Sequence, residues 1–191
     1  RIHFGDRSYL DKVTMTPTEF YRELERNPEH PKTSQPPPGD FRRLYEFLAS
    51  HYERVVSIAL TARASGTHDA ALAAAQRIAP AADGTPVVTV IDTHSVSCGQ
   101  GLVAIAAAER ALAGGSAEDV AEAARVASRH TRAFALLASV DAAVKGGRVP
   151  PVVRTLARAL NLSIVLATQP DGRVKAGGAL WGRHRLTERF A

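Results

Sequence analysis

Four short apolar runs punctuate this chain: Val55-Val56-Ser57-Ile58-Ala59-Leu60, Pro86 to Asp92, Phe134 to Ala138, and Leu162 to Ala167. Between them lie segments in which alanine supplies most of the apolar side chains. Runs of that length read as buried strands, and the alanine segments read as helices able to lie very close to a sheet. Strands alternating with helices place the chain in the α/β class with a parallel sheet. Its 191 residues suffice for one substantial α/β domain, or for one domain and part of a second. The 6% aromatic share is low beside 45% hydrophobic residues, so close packing of small side chains must do much of the core's work.

Local signals fix the remaining elements. Thr16-Pro17-Thr18-Glu19 predicts a helix start, with a hydroxyl cap, a proline in the first turn and an acid soon after. A proline-rich loop is expected from Asn27 to Gly39, and Asp40 is expected to cap a helix whose stripe is Phe41, Leu44, Tyr45 and Leu48. An alanine-rich helix stops at Gly114-Gly115, and Ser116-Ala117-Glu118-Asp119 starts the next. Asp141 to Lys145 makes a single turn, and Val152 to Leu160 a helix. Asp171-Gly172 reads as a hairpin turn. After about Val149 the alternation breaks. The expected organisation is therefore an α/β lobe over residues 1–149, followed by the beginning of a smaller, incomplete α+β lobe over residues 150–191.

The net charge is +5, and much of the excess lies in the last third. There Arg148, Arg154, Arg158, Arg173, Lys175, Arg183, Arg185 and Arg189 stand against Asp171 and Glu188. Charge alone admits nucleic acid. No recognised nucleic-acid motif accompanies it, so an anionic ligand or an acidic protein partner suits that surface better. A single cysteine, Cys98, excludes an internal disulfide, fits a reducing cytoplasm and is expected to be packed. No apolar run reaches the ~20 residues of a membrane span. Both ends read as cut from a longer protein.

Three segments place small hydroxyls, glycines or an arginine where backbone N–H groups are free to meet an anion: Lys32-Thr33-Ser34-Gln35-Pro36, Ala64-Ser65-Gly66-Thr67 and Lys145-Gly146-Gly147-Arg148. Each has a plain alternative. Thr33 and Ser34 belong either to an ordinary proline-fixed loop or to one that points hydroxyls at an oxyanion. Ser65, Gly66 and Thr67 follow a buried strand and open a helix, where α/β sheets bind ligands; they are also a sufficient helix cap. Gly146-Gly147 is either a helix stop or the tight turn from which Arg148 faces an anion. Asp92-Thr93-His94-Ser95-x-Ser97 holds triad residue types, yet triad members converge from separate elements, and Asp92 reads instead as a loop-fixing acceptor. There is no G-x-S-x-G elbow, no phosphate-loop motif and no metal spacing among the seven histidines. No catalytic residue, metal ligand or cofactor is assigned.

Taken in order, these segments resemble the DegV family, the bacterial fatty-acid-binding proteins. The matching pattern is Tyr9-Leu10-Asp11, Glu19-Phe20-Tyr21, Thr33-Ser34-Gln35-Pro36, Ser65-Gly66-Thr67, Val90-Ile91-Asp92-Thr93 with Ser97 and Gly101, Lys145-Gly146-Gly147-Arg148-Val149, and Leu160-Asn161-Leu162 with Asp171-Gly172. It departs at Ala64, His68 and Ser163-Ile164. The family's opening strand and its histidine-glycine segment do not occur in the chain. The resemblance implies a two-lobed fold holding a long-chain fatty acid, with Thr33 and Ser65 on the carboxylate and Arg148 at the rim. Some members present the acid to a separate fatty-acid kinase, which implies a carrier with no chemistry of its own. Two rivals differ in class: a stand-alone small-molecule kinase or transferase using Asp92 or His94, and a regulatory nucleic-acid-interacting domain using the basic last third.

Overall fold

The structure is a computed structural model describing residues 1–147, 149–182 and 184–190. In chain order the elements are β1 (Ile2–Phe4), β2 (Arg7–Tyr9), α1 (Pro17–Arg26), β3 (Lys32–Thr33), α2 (Pro38–Ala49), β4 (Val55–Ala59), α3 (Thr67–Ala75) and β5 (Val88–Asp92). There follow α4 (Cys98–Leu112), α5 (Ala117–His130), β6 (Phe134–Leu137), α6 (Asp141–Lys145), α7 (Pro151–Ala159), β7 (Leu162–Thr168), β8 (Val174–Trp181) and α8 (Leu186–Phe190). Two compact units result, both discontinuous in sequence. The larger takes Pro36–Leu136 and Val165–Ala179; the smaller takes Arg1–Gln35, Leu137–Ile164 and Leu180–Ala191.

The larger unit is α/β, as expected. β4 and β5 pair in parallel, from Val55↔Val88 to Ala59↔Asp92. That register decides the layers, because successive side chains point to opposite faces. Val55, Val88 and Val90 pack with Tyr45, Ala71, Ala74 and Ala75 from α2 and α3. Val56, Ile58 and Ile91 pack with Val103, Ala107, Val120, Ala121 and Ala124 from α4 and α5. Helices thus cover both faces of the parallel pair, which explains why its strands read as nearly continuous apolar runs. Ser57, polar in the middle of β4, accepts a hydrogen bond from the Tyr45 hydroxyl at 2.7 Å. A second sheet runs in the order β6-β7-β8. The turn between β7 and β8 closes at Gly172, whose φ of +80° is left-handed, as the hairpin signal implied.

The helix signals held at α1 and α5. Thr16 Oγ1 accepts from the Glu19 N–H at 3.3 Å, and the Glu19 carboxylate accepts from the Thr16 N–H at 2.8 Å. Ser116 and Asp119 repeat this capping box at 3.2 and 3.0 Å. Asp40 is not a cap. Helix α2 begins two residues earlier, at Pro38 after Pro37, because proline is already set for the first turn and lacks the N–H that would go unpaired; Asp40 instead lies in that turn and pairs with Arg43. The loop expected from Asn27 to Gly39 contains β3, which pairs antiparallel with β1 (Ile2↔Thr33), while β1 pairs with β2 through a turn at Gly5. Ile2, Phe4 and Met15, with Tyr9 and Phe20 against them, form the small core of that region.

The loops after β4 and β5 are tied to each other. Asp92 accepts from the Ala62 N–H at 3.1 Å through one oxygen and from the His94 N–H at 2.8 Å through the other. The Thr61 N–H donates to the Ser95 carbonyl at 2.9 Å, and the Thr61 hydroxyl donates to the Gly172 carbonyl at 2.9 Å. Helix α4 then starts so close to this web that a Cβ on Gly99 would stand 2.1 Å from Ser95 Oγ and 3.1 Å from Ala133 Cβ.

Two outcomes follow for stability. Gly99→Ala should cost about 1–3 kcal/mol, as overpacked cores do, in chemical denaturation. Adding Ser95→Ala should recover more than half, because Ser95 Oγ is the nearest obstacle and is itself buried without a partner among the described residues; no recovery would place the obstruction at the Cβ atoms of Ala133 and residue 95. Asp92→Asn leaves one acceptor for two N–H donors and should cost about 1–3 kcal/mol, with faster amide hydrogen exchange at Ala62 and His94. Unchanged exchange there would remove Asp92 from the role of loop tie.

Candidate functional site

Within the smaller unit, Thr33 ends β3 with its backbone opposite Ile2 and its side chain exposed. Ser34 follows; its Oγ lies 3.0 Å from Nε2 of His3, and its N–H donates to the Arg1 carbonyl at 3.2 Å. The T-S-Q-P segment is therefore the edge of a small sheet, and not simply a proline-stiffened loop. Two clefts flank it. One, of about 410 Å³, is lined by Thr33 and Ser34 with Ile2, Phe20, Tyr21 and Asp11. The other, of about 530 Å³, shares Thr33 and Phe20 and extends to Lys32, Lys145 and Gly147.

Lys145 closes α6, and the chain leaves through Gly147 at φ +74°. The Gly147 N–H donates to the Val144 carbonyl at 3.0 Å and the Gly146 N–H to the Ala142 carbonyl at 2.9 Å. A left-handed glycine just past a helix is the ordinary way to stop it. Arg148, the residue this turn was expected to aim, lies outside the described residues.

In the larger unit, Ser65 precedes α3 and Gly66 is its N-cap residue. Ser65 Oγ lies 2.9 Å from Thr67 Oγ1 and accepts from the Thr67 N–H at 3.3 Å. Both hydroxyls are half-buried at the positive end of a nine-residue helix, beyond the carboxyl end of β4. Gly66 itself, at φ −70°, makes no use of a left-handed backbone. The β7–β8 turn contributes charge to this unit. Hydrogen bonding from the Arg173 N–H, with the nearby cations of Arg173, Lys175 and Arg63, holds the Asp171 carboxyl below the usual carboxylate range against the opposing effect of burial.

Asp92, His94, Ser95 and Ser97 do not assemble a nucleophile and base. Both Asp92 oxygens accept backbone N–H groups, His94 Nε2 is 3.8 Å from Asp92 Oδ2, and Ser95 Oγ is fully buried with no partner among the described residues. Ser97 is exposed at φ +53° where α4 begins. Cys98 is a correction: it is exposed, because it opens α4 on the solvent side, while Gly99 takes the inward position. Among the described residues no three His, Cys, Asp or Glu side chains group closely enough to hold a metal ion, and no helix is long and apolar enough to cross a membrane. Sequence reading missed Thr61, Ser128 and Thr168, buried residues whose hydroxyls tie a loop, helix α5 and a strand end to backbone elsewhere in the unit. For Thr61 and Thr168 the signal was position alone, a polar residue just past or at the end of an apolar run.

The model of a family described as "Uncharacterised protein, DegV family" matches residues 1–190. The DegV domain-containing protein lin1977 of Listeria innocua is 33% identical over 176 residues, covering 91% of this chain and 60% of that protein. Among solved structures, a DegV family protein from Thermus thermophilus, described for its fatty acid binding, superposes with a TM-score of 0.79 at 31% identity, over 95% of this chain and 62% of that one. DegV of Bacillus subtilis, described as a fatty acid binding protein, gives 0.80 at 26% identity, over 99% and 65%. The chain thus spans about 60% of the length of the curated relatives it matches. With a family match over nearly its whole length and the α/β unit that the motifs implied, this chain belongs to the DegV family.

Proposed function

We propose that this chain is the greater part of a carrier that holds a long-chain fatty acid, with Thr33 and Ser65 on the carboxylate and Ser34, Gly66 and Thr67 completing the polar ends of that site. The observation that carries this reading is the 31% identity to the T. thermophilus protein, whose description is its fatty acid binding. The hydroxyl pairs support it. Ser65 with Thr67 opens a helix at the end of a parallel strand, and Thr33 with Ser34 borders clefts whose walls include Phe20 and Tyr21. In the same reading residues 1–149 and 150–191 belong to two lobes around the lipid, Arg148 stands at the rim, and the protein works as a cytoplasmic carrier. Phosphoryl transfer to the acid is then the work of a separate kinase.

The energetics divide the labour. Each buried methylene is worth about 0.8 kcal/mol, so a sixteen-carbon tail contributes on the order of 10 kcal/mol before ordering costs. Ser65 Oγ already has local partners at 2.9 and 3.3 Å, so a carboxylate exchanges hydrogen bonds there and gains little net free energy. Tail length governs affinity, and the hydroxyls govern placement.

Organic-solvent extraction of the denatured full-length protein, followed by mass spectrometry, should release one equivalent of a fatty acid of roughly fourteen to eighteen carbons. An empty extract, with no uptake of added palmitate or oleate, overturns the proposal. Ser65→Ala should weaken binding by less than about 1.5 kcal/mol while reducing phosphorylation of the bound carboxylate by a kinase far more. Equal losses in both assays would refute the division of labour.

A further inference from the structure

Helix α2 carries apolar side chains on two sides, and the larger unit buries only one of them. Phe41 and Tyr45 turn inward, into the cluster with Ala71, Ala74 and Ala75. Leu44 and Phe47 turn away from it and stay 51% and 59% exposed. A surface helix ordinarily presents charged and polar residues on that side. His51, just past the helix end, stays in line with them: its ring lies 4.5 Å from that of Phe47, and its Nδ1 is 2.8 Å from the Phe47 carbonyl oxygen. Asp40, in the first turn, stands four residues before Leu44 and so on the same side. Asp40, Leu44, Phe47 and His51 thus follow the 4-3-4 spacing of a helix–helix seam. Arg43 pairs with one oxygen of Asp40. The other oxygen, and Nε2 of His51, have no partner among the described residues.

We propose that this face is where two copies of the protein associate, α2 against α2, antiparallel about a two-fold axis. The order of residues along the stripe selects a second copy as the occupant. Its midpoint falls between Leu44 and Phe47. A two-fold there sets Leu44 against Phe47 of the second copy, and Asp40 against its His51. Apolar side chains meet at the centre and an acid meets a base at both ends, so the face is complementary to itself, as an isologous contact requires. Arg42 and Arg43 are paired within their own helix, with Glu46 and Asp40, and bring no unmatched charge to the contact. Helix α4 also exposes a stripe, Leu102, Ile105 and Leu112, but Glu109 interrupts it and no cation answers that acid across a two-fold. One helix face buries less than the ~800 Å² per partner of a standard interface, so the association is weak and concentration-dependent. It lies apart from the hydroxyl pairs and does not rest on the carrier reading.

Sedimentation equilibrium of the full-length protein over about 5–500 μM tests this. It should show monomer and dimer in exchange, with a Kd between about 10 and 300 μM. Leu44→Lys and Phe47→Lys, both at exposed positions, should each raise Kd at least about tenfold; with two variants, a folding defect in one leaves the other to decide. His51→Arg fixes a positive charge opposite Asp40 and should lower Kd at least about threefold, while His51→Glu should raise it by as much. Asp40→Lys/His51→Glu exchanges the charges and should return Kd to within about threefold of the native value. A monomer at every concentration overturns the interface, and so does a dimer that both lysine variants leave intact. A dimer dissociated by Leu102→Lys on α4 instead places the contact there and overturns it as well. Failure of the charge exchange to restore association overturns the antiparallel register.

Discussion

One carboxylate sets the geometry on which the larger unit depends. Asp92 ends β5, and its two oxygens take N–H groups from two different loops, at Ala62 and His94. An ionised acceptor of two backbone donors is about twice as strong as a neutral one, and it leaves neither donor unpaired at the sheet's end. With the loops after β4 and β5 fixed together, the Thr61 hydroxyl reaches the Gly172 carbonyl and seats the β7–β8 turn on the same end of the sheet. Gly172 is required there. Its φ is +80°, and a Cβ would fall 2.4 Å from Thr61 Oγ1. The helix start at Ser65–Thr67 is thereby held beyond the strand ends, where parallel sheets place their ligands.

Small side chains make the layers possible. Ala71, Ala74, Ala107, Ala121 and Ala124 are buried between helix and sheet or helix and helix. A helix faced with alanine approaches its neighbour closely, but contributes little apolar area per residue. The unit therefore relies on contact on both faces of β4 and β5, and on tight fits such as Gly99 against Ser95 and Ala133. Tyr45, the largest fully buried side chain among the described residues, keeps its hydroxyl paired with Ser57, so both polar side-chain atoms of that contact are satisfied.

Charge is distributed less simply than its sum implies. In the last third Arg158 pairs with Asp141, Arg173 with Asp171, and Arg185 with Glu188, while Arg189 donates to the Trp181 carbonyl at 2.8 Å. Much of the apparent basic excess is thus engaged locally. The cations left for an outside anion in the smaller unit include Lys32 and Lys145, which composition does not single out. The hydroxyls tell a parallel story. Ser34 and Ser65 each have a protein partner within 3.0 Å, so any ligand must compete for them.

How much of this was legible in the chain depends on the range of the interaction. The capping boxes at Thr16 and Ser116, the stop at Gly114, the hairpin glycine at Gly172 and the strands β4 to β7 are set by neighbours a few residues apart, and the sequence alone determined them. The family followed from the order of such local motifs. Where proline preference and side-chain capping competed, at Pro37 to Asp40, the local signal was ambiguous and the cap was misplaced. The β1–β3 pairing was invisible, because strands of three and two residues carry too little pattern and β3 gains its pairing from a partner about thirty residues away. Asp92 was legible as a loop-fixing acceptor; tertiary structure alone decided that its distant donor is the Ala62 N–H, that Cys98 faces solvent, and that Lys32 and Lys145 line one cleft. Each of these rests on which distant backbone supplies the partner, and no periodicity in the chain encodes that choice.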